Sequence, residues 1–177
     1  MTRSVALLRG INVAGNRKIQ MVDIRAMFEA AGCVDVETYI QSGNVVFSHD
    51  ALEGTALEHT LEQQVRFDTG FEIAILVRTA TELAHVLGAN PAPGTEGTKL
   101  VVLVLRDLVD PALLEGIDRA HVWPEAFALH GRELYLSLPN GQGRALLPVA
   151  IGKCMSHLAT TARNWNTVVK LAGLAAR

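Results

Sequence analysis

The stretch SVALLRGINVAGNRKIQMVDIRAMFEAAG, residues 4–32, decides the fold because it holds a strand, a loop and a helix in succession. Residues 4–9, SVALLR, form an apolar run typical of a short buried strand. The apolar residues after the loop recur at the i, i+3, i+4, i+7 spacing of an amphipathic helix: Ile24, Met27, Phe28 and Ala31. We expect that helix to end near Gly32.

Downstream segments complete a β-α-β-β-α-β order. The runs VETYI and VVFS flank QSGN, residues 41–44, which predicts a hairpin. Apolar spacing predicts a second helix at 54–68, and the alternating segment FEIAILV, 71–77, predicts a strand. This order is that of the ferredoxin-like fold, whose sheet has the spatial order 4-1-3-2.

The second half of the chain repeats part of that order. A short helix is expected at 79–87, followed by a glycine- and proline-rich linker at 89–98. We therefore predict subdomains at 1–88 and 99–177. In the second, a strand KLVVLVL, a helix opening at Pro111 and a hairpin turning at His130–Gly131 precede helices interrupted near Pro148 and 159–161. The predicted fold class is α+β, with a ferredoxin-like βαββαβ N-terminal half and a smaller related βαββαα C-terminal half.

Composition restricts the function classes. The chain has 177 residues, 49% of them hydrophobic, and a formal net charge of −2. This is the composition of a folded protein without the overall basic charge of a general nucleic-acid binder. The two cysteines, Cys33 and Cys154, lie far apart, and no apolar run is long enough for a signal peptide or a membrane span. We expect a cytoplasmic protein with no membrane partner.

Two loops are predicted to meet at one end of the first sheet. Strands 1 and 2 run the same way in the expected topology, so the loop after strand 1 and the hairpin 41–44 emerge together. The first helix also begins there, with unpaired N–H groups and a positive dipole end. Basic residues, amides and glycines would then form an anion-binding corner. Its members are Arg9, Gly10, Asn12, Arg17, Lys18, Gln41, Ser42, Gly43 and Asn44.

A third polar cluster lies in TARNWNTVVKLAG, residues 161–173. We expect a helix here, capped by Thr160 or Thr161, with Trp165 on its apolar face. Its polar face would carry Arg163, Asn166, Thr167 and Lys170. Asparagine is a poor helix former, so its presence near the helix start indicates specific hydrogen bonds.

The segments LLRGINVAGNRKIQMVDIR, TYIQSGNVVF and TARNWNTVVKL resemble, in this order, the hallmark segments of the bacterial domain-of-unknown-function 1697 family. The resemblance covers essentially the whole chain and implies a two-part α+β protein without an established activity. It places the following residues on family-motif positions: Arg9, Gly10, Asn12, Lys18, Gln41, Ser42, Gly43, Asn44, Arg163, Asn164, Trp165 and Asn166. The chain departs from the family pattern at Ala14–Gly15, where the family has Gly-Gly, and at 144–147, where a Ser and a Lys are replaced.

Catalytic and cofactor signatures are not evident. Asn16–Arg17 stands where a P-loop needs Lys-Ser/Thr, and Glu82 with His85 gives one Glu-x-x-His pair where a di-iron site needs two. Ser42 lacks a nucleophile elbow, and the histidines lack metal-ligand spacing. The sequence therefore predicts no catalytic residue, metal or cofactor, and it leaves open whether the protein is an enzyme.

Three hypotheses remain. The first is a binding protein for a small anionic, phosphate-bearing ligand, held at the corner with Arg163, Asn164 and Asn166 as a second wall. The second is nucleic-acid binding through the same basic loops. The third is that the motifs are purely structural, at an interface between the two subdomains.

Overall fold

The structure, a computed structural model, describes residues 1–13, 18–50 and 52–177. These residues form a mixed α and β protein. The strands are β1 Thr2–Leu8, β2 Val34–Tyr39, β3 Asn44–His49, β4 Ile75–Thr79, β5 Leu100–Leu105, β6 Ala126–His130, β7 Glu133–Ser137 and β8 Thr160–Asn164. The α-helices are α1 Met21–Ala30, α2 Gly54–Thr69, α3 Ala80–Gly88, α4 Leu147–Cys154 and α5 Trp165–Ala175. Short 3-10 helices occupy Pro111–Leu114 and Gln142–Arg144.

The strands form two four-stranded antiparallel sheets. One has the order β2-β3-β1-β4 and the other β6-β7-β5-β8. Read from β4, the first order is 4-1-3-2, as expected from the sequence. In the first sheet Val5 of β1 lies between Val46 of β3 and Arg78 of β4.

The described chain divides into two compact units. Unit 1 comprises Met1–His85 and Lys170–Arg177, and unit 2 comprises Val86–Val169. The C-terminal part of α5 therefore belongs to the unit that contains the first sheet.

Unit 1 has its core between the sheet and helices α1 and α2. The expected apolar faces are buried: Ile24 and Phe28 on α1, and Leu57, Leu61 and Val65 on α2. The Phe28 ring meets the Phe47 ring of β3 edge-on, with centroids 5.4 Å apart. Such pairs stabilise beyond the area that they bury.

Two glutamates of α2 bind the backbone of β4, an outer strand of its sheet. The Val77 amide donates to Glu58 Oε1 at 2.7 Å, and the Ile75 amide donates to Glu62 Oε1 at 2.9 Å. Because Glu58 and Glu62 are one helical turn apart, their carboxylates reach alternate N–H groups of the strand. These side chains satisfy donors that an outer strand otherwise leaves open.

Unit 2 repeats the sheet order of unit 1 with a smaller set of helices. Its core contains Leu105 of β5, Leu134 of β7 and Ile151 of α4. The helix expected at Pro111 is only the 3-10 segment Pro111–Leu114, begun by Asp110, whose Oδ1 accepts from the Ala112 amide at 2.9 Å.

Two sequence predictions of secondary structure are wrong. The strand expected at 71–77 begins only at Ile75 and continues to Thr79. The helix expected from 161 begins at Trp165, and Thr160–Asn164 form β8, which pairs with β5. The C-terminal half therefore ends β-β-α-β-α and not β-β-α-α. Thr161 and Arg163 of TTARN are buried and hydrogen-bonded to each other, and these polar residues give no apolar alternation that would predict a strand.

The two units share a residue-level feature at the end of the fourth strand. Arg78 pairs with Val5, and Arg163 pairs with Val102, at the matching position of the second sheet. Arg78 Nη1 donates to the preceding carbonyl at 2.8 Å, and Arg163 Nη1 does the same at 2.7 Å. In each unit the next residue, Thr79 or Asn164, caps a helix, so both units contain a strand–cap–helix segment.

Candidate anion-binding corner

The backbone brings the two predicted loops of unit 1 together. The Leu8 amide donates to the Gly43 carbonyl at 2.9 Å, and Leu7 is the register partner of Asn44. The loop after β1 and the turn between β2 and β3 are therefore neighbours. We use the name "corner" for the described residues of these loops, 9–13, 18–20 and 40–44.

Asn12 joins three segments of the corner with one side chain. Its Oδ1 accepts from the Ile19 amide at 3.0 Å, and its Nδ2 donates to the Ile19 carbonyl at 3.0 Å. The same Nδ2 donates to the Gln41 carbonyl at 2.9 Å. The carboxamide thus pairs with Ile19 as a strand backbone would. Asn12 has φ 55°, a conformation that asparagine adopts more readily than most residues.

Asn44 closes the hairpin turn from inside. Its side chain is fully buried, and Nδ2 donates to the Tyr39 carbonyl and to Ser42 Oγ, both at 3.0 Å. The amide N–H groups of Asn12 and Asn44 therefore have acceptors within the protein. These two side chains hold the loops in place.

Gly43 allows the loop after β1 and the turn between β2 and β3 to lie close to each other. Its φ is +75°, and a Cβ there would lie 2.7 Å from Ile11 Cδ1 and 2.9 Å from Leu8 Cβ. Real side chains essentially never approach so closely. The glycine of QSGN is thus required by contact with the β1 loop and by backbone conformation.

The basic side chains of the corner point outward. Arg9 and Lys18 are exposed, as is Gln41, whereas Ser42 is half-buried. The Arg9 amide donates to the Ala74 carbonyl at 2.9 Å, and Gly10 has φ 64°. Arg17 lies outside the described residues. α1 begins beside the corner at Met21, and Gln20 caps it without a side-chain hydrogen bond.

A groove of about 640 Å³ lies beside the corner, between α1 and α2. Lys18 and Ile19 line one part of it, and Met27 and Phe71 supply apolar walls. Asp23 and Asp68 also line the groove, so its carboxylates outnumber its ammonium group. The lining of this groove therefore has more acidic than basic side chains.

The remaining predicted site residues lie in unit 2. Arg163 on β8 is buried, and its Nη1 donates to Thr161 Oγ1 at 2.9 Å. Burial lowers the pKa of Arg163 to about 10, so the guanidinium is still charged at neutral pH. Asn164 caps α5, accepting from the Thr167 amide at 2.9 Å, in place of the predicted cap at Thr160 or Thr161. Arg163 and Asn166 do not share a helical face, because Arg163 is in a strand.

The start of α5 contacts Gly97, which lies within the predicted linker 89–98. The Trp165 amide donates to the Gly97 carbonyl at 3.1 Å, and a Cβ on Gly97 would overlap the Asn166 amide group. The Trp165 ring lies 6.5 Å from that of Tyr135. Burial is the main cause that raises the pKa of Tyr135 to about 12, and its hydroxyl donates to the Val86 carbonyl at 2.8 Å.

Glu82, His85 and the two cysteines lie outside the corner. Glu82 accepts from the Thr79 amide at 2.8 Å in a capping box at the start of α3, while His85 is exposed. Cys33 and Cys154 are free thiols, and burial raises the pKa of Cys33 to about 11. Within residues 1–13, 18–50 and 52–177, no three histidine, cysteine or acidic side chains are placed to hold a metal ion. No helix in the same ranges is long and apolar enough to cross a membrane.

Comparison with known proteins gives a family and a fold. A family model described as "Protein of unknown function (DUF1697)" matches residues 1–135. The structure is similar to that of the conserved bacterial protein SP0830 from Streptococcus pneumoniae, with a TM-score of 0.83 and 22% sequence identity. That similarity covers 100% of this chain and 99% of the other. No curated protein matches the sequence.

Proposed function

The chain belongs to the DUF1697 family of proteins of unknown function, and from that premise we propose that it binds a small anionic, phosphate-bearing ligand at the corner. One observation carries the proposal: the Asn12 carboxamide bonds both Ile19 and the Gln41 carbonyl. The exposed Lys18 and Gln41 therefore lie on either side of a fixed amide. Arg9 leaves β1 at the same end of the sheet.

The corner residues have separate roles in this proposal. Arg9 and Lys18 neutralise the charge of the ligand, and Gln41 donates from its side chain. Gly10 and Gly43 permit close backbone approach, while Asn12 and Asn44 keep the loops rigid. A preorganised site of this kind loses less entropy when it binds.

The proposal also includes the fold of each half, the bounds of the subdomains and the cellular location. The strand order of both sheets supports a ferredoxin-like layout for each half. We keep 89–98 as the linker between subdomains 1–88 and 99–177. Two free thiols are typical of a reducing compartment and support a cytoplasmic location.

Thermal shift measurements test the ligand proposal. Inorganic phosphate, nucleotides and sugar phosphates are added to wild type and to Lys18→Ala at low and moderate salt. A ligand that binds only the native state raises the melting temperature. We expect a hit whose affinity falls about tenfold in Lys18→Ala, a loss of roughly 1.4 kcal/mol.

Arg144→Ala is the matched control, because Arg144 is an exposed arginine of unit 2. Equal loss in both variants, or no shift with any compound, would contradict the proposal. A short oligonucleotide distinguishes the nucleic-acid alternative. Binding that neutralises several phosphates falls steeply with salt, whereas binding of one small anion does not.

A further inference from the structure

Within the described part of the chain, β6 differs from the other outer strands in having no protection of its edge. β2 contains Asp35 and Glu37 and a register shift against β3. The N–H groups of β4 are taken by glutamates of α2, and β8 contains Arg163. Charges, irregular register and side-chain capping are devices that prevent outer strands from pairing with another chain. β6, with the sequence AFALH, has none of them among the described residues.

A cleft of about 480 Å³ runs along this strand. Its lining includes Phe127, Ala128 and Leu129 of the strand together with Glu115 and Arg119. The Arg119 guanidinium carbon is 4.2 Å from the centre of the Phe127 ring. The open edge of β6 is therefore bordered by an apolar surface and by one charge of each sign.

Large apolar side chains near β6 are also exposed. Trp123, just before the strand, is 78% exposed, and Leu113 of the nearby 3-10 segment is 37% exposed. Exposed tryptophan is uncommon on a monomer surface, and tryptophan is enriched in protein interfaces. The features at this edge indicate an interaction surface.

We propose that a second copy of the chain covers this edge by antiparallel pairing of β6 with β6 about Ala128. Identical strands related by a two-fold axis pair in this way, and the contact closes after two copies. β6 has no charged side chain to repel its equivalent, apart from any protonated His130 at its end. Phe127 of one copy then lies beside Leu129 of the other.

The charges beside the strand favour a second copy over a different protein. Glu115 and Arg119, which both line the cleft, have opposite signs, so a two-fold axis can place the base of each copy near the acid of the other. A rim of a single sign would repel its equivalent and would call for an oppositely charged partner. The surface is complementary to itself.

The oligomeric state of the full chain tests the proposal. Sedimentation equilibrium from about 1 to about 100 µM should show a concentration-dependent dimer. Ala128→Lys and Ala128→Glu each place like charges opposite each other across the axis. Each should weaken dimerisation about tenfold or more. A mixture of the two variants should restore the dimer, because lysine then faces glutamate.

Val34→Lys is the control, since it adds the same charge to the outer strand β2, and it should leave the dimer unchanged. Hydrogen exchange on wild type gives a readout that does not depend on variant folding. Protection of the β6 amides should rise with protein concentration. A wild-type chain that is monomeric over the whole range overturns the proposal and favours a different protein as the occupant. Loss of the dimer in Val34→Lys, or no recovery in the mixture of folded variants, also overturns it.

Discussion

At the scale of single residues, two asparagines replace backbone groups in the corner. Asn12 pairs with both the N–H and the carbonyl of Ile19, and Asn44 bonds the carbonyl of Tyr39 from a buried position. Each side chain supplies hydrogen bonds where the chain turns and regular pairing stops. The exposed basic residues of the corner thus rest on loops whose conformation is fixed by neighbouring amides.

Gly43→Ala should destabilise the protein by about 2–4 kcal/mol, because the new Cβ meets packed atoms and φ is positive. The contacts concern Ile11 and Leu8, whose side chains are buried and have little room to move. Urea unfolding of the variant and wild type measures the loss as a lower midpoint with an unchanged slope.

Gly70→Ala separates the effect of contact from that of conformation. Gly70 has φ +73°, close to that of Gly43, yet a Cβ added there would meet no atom within 4 Å from the rest of the described chain beyond its two neighbours. Gly70→Ala should therefore lower the free energy of unfolding by only about 1 kcal/mol, the cost of the left-handed conformation. Equal losses at the two glycines would show that the approach of the β1 loop does not constrain Gly43.

Sequence reasoning predicted where the corner residues lie but not what their amides bond. Topology placed Asn12 near Gln41, and the hydrogen bond between them has that arrangement. Three of the acceptors are the carbonyl groups of Ile19, Gln41 and Tyr39, whose directions depend on backbone angles such as the φ of 50° at Ile40. The composition of the chain and the spacing of its residues do not determine those backbone angles.

At the scale of elements, α2 stabilises the sheet by its carboxylates as well as its apolar face. Glu58 is 1% exposed, an uncommon position for a glutamate, and it accepts from the Val77 amide. The four-residue spacing of Glu58 and Glu62 in the sequence places both on one face of α2. It did not show that β4 would present its N–H groups to that face, since this depends on the packing of helix against sheet.

Glu58→Ala should lower the free energy of unfolding by about 2–3 kcal/mol, because it leaves the buried Val77 N–H without this acceptor. Glu58→Gln keeps an acceptor oxygen and should lose less, about 1 kcal/mol. Glu53→Ala, an exposed glutamate just before α2, should stay within about 0.5 kcal/mol of wild type. Denaturant unfolding measures the free energy of unfolding of all three variants. A loss in Glu58→Ala no larger than in Glu53→Ala would contradict a stabilising role for the Glu58 carboxylate at the Val77 amide.

The strand β8 shows why element prediction failed in the second half. Apolar runs identified β1, β3 and β5, whose side chains pack into the cores. β8 is instead held by pairing with β5 and by the hydrogen bonds of a buried arginine. A polar strand of this kind gives no periodic apolar signal, so the caps and helix formers around it dominated the prediction.

At the scale of the whole molecule, a repeated sheet order is combined with different helices. Both sheets have the order 2-3-1-4 when their strands are numbered within each half. The first half has α1 between its first two strands, whereas the second has the 3-10 segment Pro111–Leu114. The strand–cap–helix segments at Arg78 and Arg163 have a common residue pattern. Sheet geometry tolerates exchange of apolar residues, so two halves can have the same sheet order with little sequence similarity.

The end of the chain belongs to the unit that contains its beginning, and this gives the last prediction. Lys170–Arg177 are part of unit 1, and Arg3 Nε of β1 donates to the Leu174 carbonyl at 3.4 Å. Leu174 is 4% exposed, whereas Val169 on the same helix is 45% exposed. Leu174→Ala should therefore cost about 2–4 kcal/mol by removing buried methyl groups and leaving a cavity.

Val169→Ala is the control on the same helix and should cost less than about 1 kcal/mol, because its side chain is nearly half in water. Circular dichroism and intrinsic fluorescence should follow the unfolding of both variants by denaturant. Similar small losses would mean that the C-terminal segment adds little to unit 1. A selective loss in Leu174→Ala would show that unit 1 needs residues from both ends of the chain, so a fragment that ends at residue 88 should be less stable than the same residues in the full protein.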